Sequence, residues 1–188
     1  MSKPEKDILE KSKELFRHYG YGKTTLTDIA KSVGKVKSAL YYYFSGKEEI
    51  FAKIVRDEAD VFWKKLKLAI EKGETTQDKM YLYVETRVLL MQKVAQKYSF
   101  LKKELFELLP LVQENRKIAD GEEKKYITAL LTTHSNYKDQ EEKMIRYKAE
   151  LLVNTLKGLE IQMHVTDEVL IDKKSLPLFI DVILNGVL

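Results

Sequence analysis

Apolar residues recur three and four positions apart along most of this chain, which is the period of helices with one buried face. The pattern therefore predicts an all-α protein. A first helix begins near Pro4 and ends at Gly20 and Gly22. A helix of about 25 residues follows Ser45-Gly-Lys-Glu48, a capping-box spacing, and at about 1.5 Å per residue it is too long for a fifty-residue domain to cover. We expect it to lead into a second domain.

Between these helices, residues 23–44 read as two short helices joined by a tight turn. The first has apolar residues at Leu26, Ile29, Ala30 and Val33, and we expect it to end at Gly34, where a glycine can adopt positive φ. The second, about ten residues long, has apolar positions at Val36, Leu40, Tyr43 and Phe44. This arrangement predicts a helix-turn-helix.

The exposed face of the second helix offers Lys37, Ser38, Tyr41 and Tyr42. A lysine, a hydroxyl group and two phenols can reach phosphates, base edges and thymine methyl groups in a major groove. Residues 29–47 contain four lysines, Lys31, Lys35, Lys37 and Lys47, and no acid. The pattern favours a DNA-reading face. An ordinary surface helix pair with solvated lysines is the alternative.

The first sixty residues resemble the N-terminal domain of the TetR (tetracycline-repressor) family of bacterial transcriptional regulators. The likeness rests on Ile8, Leu9, Leu15, Phe16, Gly20, Thr24, Thr25, Ile29, Ala30, Gly34, the run Leu40 to Phe44, Lys47 and Glu48. The resemblance implies phosphate contacts from Thr25, Tyr42 and Lys47, with Lys37, Ser38 and Tyr41 nearest the bases. We add Lys23 and Lys35 as candidate DNA contacts. The chain departs from the family at Val36, because valine cannot cap a helix where the family commonly has a small capping residue.

The rest of the chain predicts further helices, which give a domain at 1–46 with a three-helix bundle and a larger helical domain at 47–188. Arg87 beside an apolar stripe is either a surface ion pair or an anchor for an anionic ligand. The apolar stretch around the helix-breaking Pro110 is either plain core or the wall of a ligand pocket. Candidate pocket residues are Phe62, Arg87, Met91, Phe100, Phe106, Tyr126, Leu130 and Leu152.

The last two predicted helices, at about 142–164 and 175–188, are too apolar all round for the surface of a monomer. We expect them to form a homodimer interface. The resemblance implies the same, and it implies that the long helix at Lys47 tilts when an effector binds.

Several classes of function are disfavoured. The sequence has no cysteine, which excludes disulfides and thiolate chemistry, and His18, His134 and His164 show no spacing typical of a metal site or a catalytic triad. Glu160 and His164 are one helical turn apart and read as a surface pair, with metal ligation as the alternative. Residues 1–50 carry ten basic and seven acidic side chains, against 23 and 22 in the remainder. We therefore expect the DNA-contacting surface to lie in the amino-terminal part of the chain. We expect no enzymatic activity, no metal or other cofactor, no membrane association and a cytoplasmic location.

Two hypotheses follow. The first is a homodimeric repressor that binds a palindromic DNA operator and responds to an unknown, hydrophobic small-molecule effector. The second is a constitutive DNA-binding protein whose C-terminal domain binds a protein partner.

Overall fold

The computed structural model describes residues 2–134, 140–166 and 171–185, which are helical apart from turns and short connections. The helices are α1 (Lys3–Tyr19), α2 (Leu26–Ser32), α3 (Lys37–Leu40), α4 (Lys47–Ile70), α5 (Thr76–Lys97), α6 (Leu105–Thr132), α7 (Glu142–Val165) and α8 (Leu176–Asn185), with a 3₁₀ helix at Ser99–Glu104. This confirms the predicted fold class. Within the described ranges, no helix combines the length and the apolar character needed to cross a bilayer.

The first compact unit, unit 1, contains Met1–Ala59 and Tyr98–Lys117. Its core holds apolar side chains from α1, α2, α3 and the start of α4, among them Ile8, Phe16, Ile29, Leu40 and Phe51. Leu101 and Leu108, from the separate segment 98–117, belong to the same core. Helices α2 and α3 are thus packed in a unit built from two distant stretches of the chain.

The second compact unit, unit 2, contains Asp60–Lys97 and Ile118–Leu188. Its core comes from the end of α4, from α5, from the carboxyl-terminal part of α6, and from α7 and α8. Leu66, Tyr83, Ile127, Val153 and Ile180 are among its almost fully buried side chains. The apolar faces of these helices pack against one another in this core.

The units divide the chain differently from the predicted boundary between residues 46 and 47. They separate within α4, between Ala59 and Asp60, and they assign residues 98–117 to the amino-terminal unit. A bundle of about fifty residues can bury only a limited apolar area, and Leu101 and Leu108 enlarge its core.

Pro110 does not break a helix, contrary to expectation. It lies inside α6, in its second turn. A proline at this place removes one backbone hydrogen bond near the helix start, and the 28-residue helix continues past it.

Candidate nucleic-acid interface

A capping box fixes the start of α2. The Thr25 backbone N–H and hydroxyl donate to Asp28 Oδ2 at 2.9 and 2.6 Å, and the Asp28 N–H donates to Thr25 Oγ1 at 3.2 Å. The Thr25 hydroxyl and backbone hold the pKa of Asp28 below its ordinary value, so that carboxylate is charged at neutral pH. Thr25 is therefore held at the exposed amino end of α2.

The turn between α2 and α3 is a Schellman motif centred on Gly34. Gly34 has φ +67°, its N–H donates to Lys31 O at 3.1 Å, and the Lys35 N–H donates to Ala30 O at 2.9 Å. Ala30 is 1% exposed, which is consistent with the predicted close crossing of the two helices. The predicted end of α2 at this glycine is confirmed.

Helix α3 is much shorter than the ten residues that the sequence predicts. It spans four residues, and residues 41–43 form a turn in which the N–H groups of Tyr43 and Phe44 both donate to Leu40 O at 2.8 and 2.9 Å. Three consecutive tyrosines have modest helix propensity, and Ser45-Gly46 follow directly after Phe44, so the helix has little reason to extend. Val36 makes no side-chain capping bond, as expected.

The predicted reading residues nevertheless share one exposed surface, because Leu40 and Phe44 anchor the other side in the core. Lys37 and Ser38 are exposed, Tyr41 is 51% exposed and Tyr42 is 85% exposed. Lys37 Nζ lies 5.9 Å from the centre of the Tyr41 ring. Lys23 and Lys35 are also exposed. We call Lys37, Ser38, Tyr41 and Tyr42 the reading face.

Lys47, in contrast, is bound within the protein. Its ammonium group donates to Tyr21 O at 2.7 Å and lies 4.2 Å from the Tyr21 ring centre. Burial lowers the lysine pKa, while Glu104 and Glu48 act in the opposite direction. Lys47 therefore holds the turn between α1 and α2, and a phosphate contact from it stays a prediction.

Glu104 is the residue of this region that sequence reasoning missed. Its carboxylate accepts the Tyr21 N–H and the Gly22 N–H, each at 2.7 Å. The two glycines flanking Tyr21 allow this close approach, but no local pattern links them to a residue more than eighty positions away.

Six of the eight predicted pocket residues lie in or against the core of unit 2: Phe62, Arg87, Met91, Tyr126, Leu130 and Leu152. The other two do not join them. Phe100 packs against the core of unit 1, and Phe106 is 69% exposed. Both of these residues belong to unit 1, because residues 98–117 are part of that unit.

Arg87 does not form a surface ion pair, because it is buried, and its role as an anchor for an anionic ligand stays a prediction. It is fully buried, and Nε donates to Glu123 Oε1 at 2.6 Å while Nη1 lies 2.8 Å from Met91 Sδ. The phenol of Tyr83 donates to the same Glu123 oxygen at 2.8 Å. Glu160 Oε2 lies 3.9 Å from Arg87 Nη1.

The charges of this cluster are mutually dependent. Burial opposes the Arg87 cation, but Glu123, Tyr83 and Glu160 outweigh it and raise the guanidinium pKa further above its ordinary value. Burial and the Glu123 carboxylate raise the pKa of the Tyr83 phenol, which keeps it protonated as a donor. Arg87 is thus already compensated by carboxylates of the chain itself.

The prediction that Glu160 and His164 form a surface pair is wrong, because Glu160 is buried. Glu160 is 7% exposed and faces Arg87, while His164 Nδ1 lies 2.9 Å from the Glu160 backbone oxygen. In the part of the chain that the structure describes, no three His, Asp or Glu side chains gather as a metal site would require.

Known proteins resemble this chain at two levels. Residues 8–54 match the family of bacterial regulatory proteins described as the tetR family. The HTH-type transcriptional regulator QacR of Staphylococcus aureus is 38% identical over 78 residues, which are 42% of each chain. The biofilm operon icaADBC HTH-type negative transcriptional regulator IcaR of Staphylococcus epidermidis is 46% identical over 50 residues, 27% of each chain. The matched segments thus span less than half of these relatives' own length.

The likeness of the fold extends further than that of the sequence. The transcriptional regulator FadR of Bacillus subtilis, solved in complex with stearoyl-CoA, superposes with a TM-score of 0.69 over 97% of this chain and 96% of that one, at 17% identity. The family match covers α2, the Gly34 turn and α3, which carry the reading face. The amino-terminal region of the chain, residues 8–54, is thus similar to the tetR family of bacterial regulatory proteins.

Proposed function

We propose that the chain is a transcriptional repressor that binds double-stranded DNA through the reading face. The observation that carries this proposal is the exposure of Lys37, Ser38, Tyr41 and Tyr42 on a short helix anchored by Leu40 and Phe44. Lysine and hydroxyl groups bind phosphates, and such side chains also reach base edges. The likeness to IcaR, a negative transcriptional regulator, supports repression.

The protein acts as a homodimer through α7 and α8. Each helix keeps an exposed apolar stripe: Met144, Tyr147 and Leu151 on α7 are 52%, 46% and 67% exposed, and Leu178 and Val182 on α8 are 66% and 64% exposed. These stripes are the apolar surfaces that a second copy would cover. Residues 186–188 of the predicted interface lie outside the described residues. Twofold symmetry would present two reading faces to half-sites about 34 to 36 Å apart, so the operator is a palindrome.

Unit 2 binds a small, largely apolar effector. FadR of Bacillus subtilis holds stearoyl-CoA in a related fold, which supports this class of ligand. The candidates for its lining in unit 2 are Phe62, Arg87, Met91, Tyr126, Leu130 and Leu152. The effector can release DNA only to the extent that it binds the non-DNA conformation better, which is typically worth about 1–3 kcal/mol.

DNase footprinting of the DNA upstream of the protein's own gene tests the reading face. We expect a protected inverted repeat with the wild-type protein, and its loss in a Lys37→Ala, Tyr42→Ala variant that remains dimeric. Lys72→Ala with Tyr81→Ala is the matched control, because it removes an exposed lysine and an exposed tyrosine from unit 2. A footprint retained by the first variant contradicts the assigned face.

Titration of stearoyl-CoA into the protein–DNA complex tests the effector class. Release of the footprint supports an apolar effector. A footprint that persists with stearoyl-CoA and with free stearate favours constitutive DNA binding with a protein partner for unit 2.

A further inference from the structure

The turn between α1 and α2, residues Gly20 to Gly22, is held from two sides by an acidic and a basic side chain. The N–H groups of Tyr21 and Gly22 each donate to one oxygen of the Glu104 carboxylate, at 2.7 Å. The carbonyl groups of the same two residues accept from Lys47 Nζ, at 2.7 and 3.4 Å. Such charge-assisted bonds are the stronger class of hydrogen bond in proteins.

The turn has little freedom to rearrange around these contacts. The Tyr21 ring packs against Phe16 and Phe51, with centroids 5.4 and 4.9 Å away, so its side chain is fixed in the core of unit 1. Gly20 has φ +84°, a conformation that favours glycine. A Cβ atom added to Gly22 would lie 2.8 Å from Glu104 Oε1, so the carboxylate would have to shift away from this backbone to make room for it.

The same turn determines where α2 begins. Thr24 is 2% exposed, and its hydroxyl donates to Gly20 O at 2.7 Å. Lys23 lies between the turn and Thr24, and Thr25 follows as the N-cap of α2. A change in the turn therefore moves two of the candidate DNA contacts, Lys23 and Thr25, together with the helix that leads to the reading face.

We propose that Glu104 is a positioning residue for DNA binding: its carboxylate sets the turn at Gly20–Gly22 and thereby orients Lys23, Thr25 and α2 toward the operator. Glu104 lies at the junction of the 3₁₀ helix and α6, far from the amino-terminal helices in sequence. The inference rests on the proposed DNA-binding function.

Charge alone predicts the opposite effect of removing this acid. Phosphates repel a carboxylate, so Glu104→Gln would strengthen DNA binding if the side chain acted only through its charge. As a positioning residue it acts the other way, because glutamine keeps one acceptor oxygen and places an amide donor against the second backbone N–H. We expect Glu104→Gln to weaken binding by about fivefold to tenfold.

The experiment measures the dissociation constant of the full-length protein for a duplex from its own upstream region, by fluorescence anisotropy at several salt concentrations. Loss of one phosphate contact near Lys23 would reduce the slope of log K against log salt by about 1, which a general loss of stability would not do. Exchange rates of the Tyr21 and Gly22 amide hydrogens are followed in the same samples, and we expect both to rise.

Glu107→Gln is the matched control, because it removes the same charge from an exposed position in the first turn of α6, three residues after Glu104. Gly22→Ala, which displaces the carboxylate from the opposite side, should reproduce the defect, and its combination with Glu104→Ala should be far less than additive. These variants keep the test valid if one substitution alone impairs folding.

Wild-type-like or tighter binding by Glu104→Gln overturns the inference while leaving the proposed function intact. Weaker binding with an unchanged salt slope and unchanged amide exchange also overturns it. If the wild-type protein itself fails to bind its upstream DNA specifically, the proposed function fails, and the inference fails with it.

Discussion

Replacing Arg87 by methionine should destabilise unit 2 strongly. The side chain is fully buried, it donates to Glu123 through two nitrogens at 2.6 and 3.4 Å, and its guanidinium carbon lies 5.7 Å from the Phe62 ring centre. Methionine is apolar and shorter, and it carries no charge. The variant therefore leaves the carboxylate of Glu123, which is 4% exposed, without its main cation.

The magnitude follows from this burial. Breaking a buried ion pair by removing one partner costs about 3–5 kcal/mol, because the remaining charge stays desolvated. For a protein of this size, about 2–4 °C of melting temperature corresponds to each kcal/mol, so we expect a fall of roughly 10 °C. The double variant Arg87→Met, Glu123→Gln should recover part of it, because the glutamine oxygen still accepts from Tyr83, although Glu160 has still lost its contact with Arg87.

Urea denaturation followed by circular dichroism measures the free energy of unfolding of these variants. Lys125→Met is the matched control, because Lys125 and Glu122 form an ion pair on the same helix with side chains 78% and 55% exposed. Exposed pairs of this kind contribute about 0–1 kcal/mol. A loss in Arg87→Met no larger than that in Lys125→Met would refute the account of a buried, compensated cation.

Three further outcomes are expected. Leu151→Lys with Leu178→Lys should shift the sedimentation coefficient at micromolar concentration from dimer to monomer, and unchanged dimers would contradict the proposed interface. Gly34→Ala should lower the free energy of unfolding by about 1 kcal/mol through its positive φ, since no atom lies within 4 Å of the added Cβ, and unfolding as stable as wild type would contradict this. The Thr75 hydroxyl and backbone lower the pKa of Asp78, so this carboxylate stabilises the fold above the ordinary pKa and loses that effect as pH falls through the lowered value. Asp78→Asn should therefore flatten the decrease in stability between about pH 5 and pH 3, as measured by thermal melts.

Local chemistry made much of the fold predictable from the sequence. Pro4 and Gly20 mark the two ends of α1. Gly34 lies in the turn that ends α2 and has the expected positive φ. The start of α4 was also recognised, although Ser45 pairs with Glu49 and not with Glu48, at 2.5 and 2.7 Å. Each of these signals involves residues at most four positions apart, and the sequence displays such spacings directly.

Long-range contacts were the part that could not be predicted. Arg87 looks like any lysine or arginine beside an apolar stripe, and only the fold brings Glu123 and Glu160 to it from two other helices. The same holds for Glu104, which reads as one more charge in a Lys-Lys-Glu run. The length of α3 was overestimated because its apolar spacing continues through Phe44 after the helix has ended.

Because unit 1 is built from two separate stretches of the chain, its core can form only late during synthesis. Leu101 and Leu108 complete a core whose other members lie before residue 60, so a nascent chain cannot close that core until about half of the protein has left the ribosome. Contacts of such high sequence separation slow folding, because a long loop must be ordered first. A chimera that transplants residues 1–59 alone onto another regulator would leave this core open, whereas one that also carries residues 98–117 would close it.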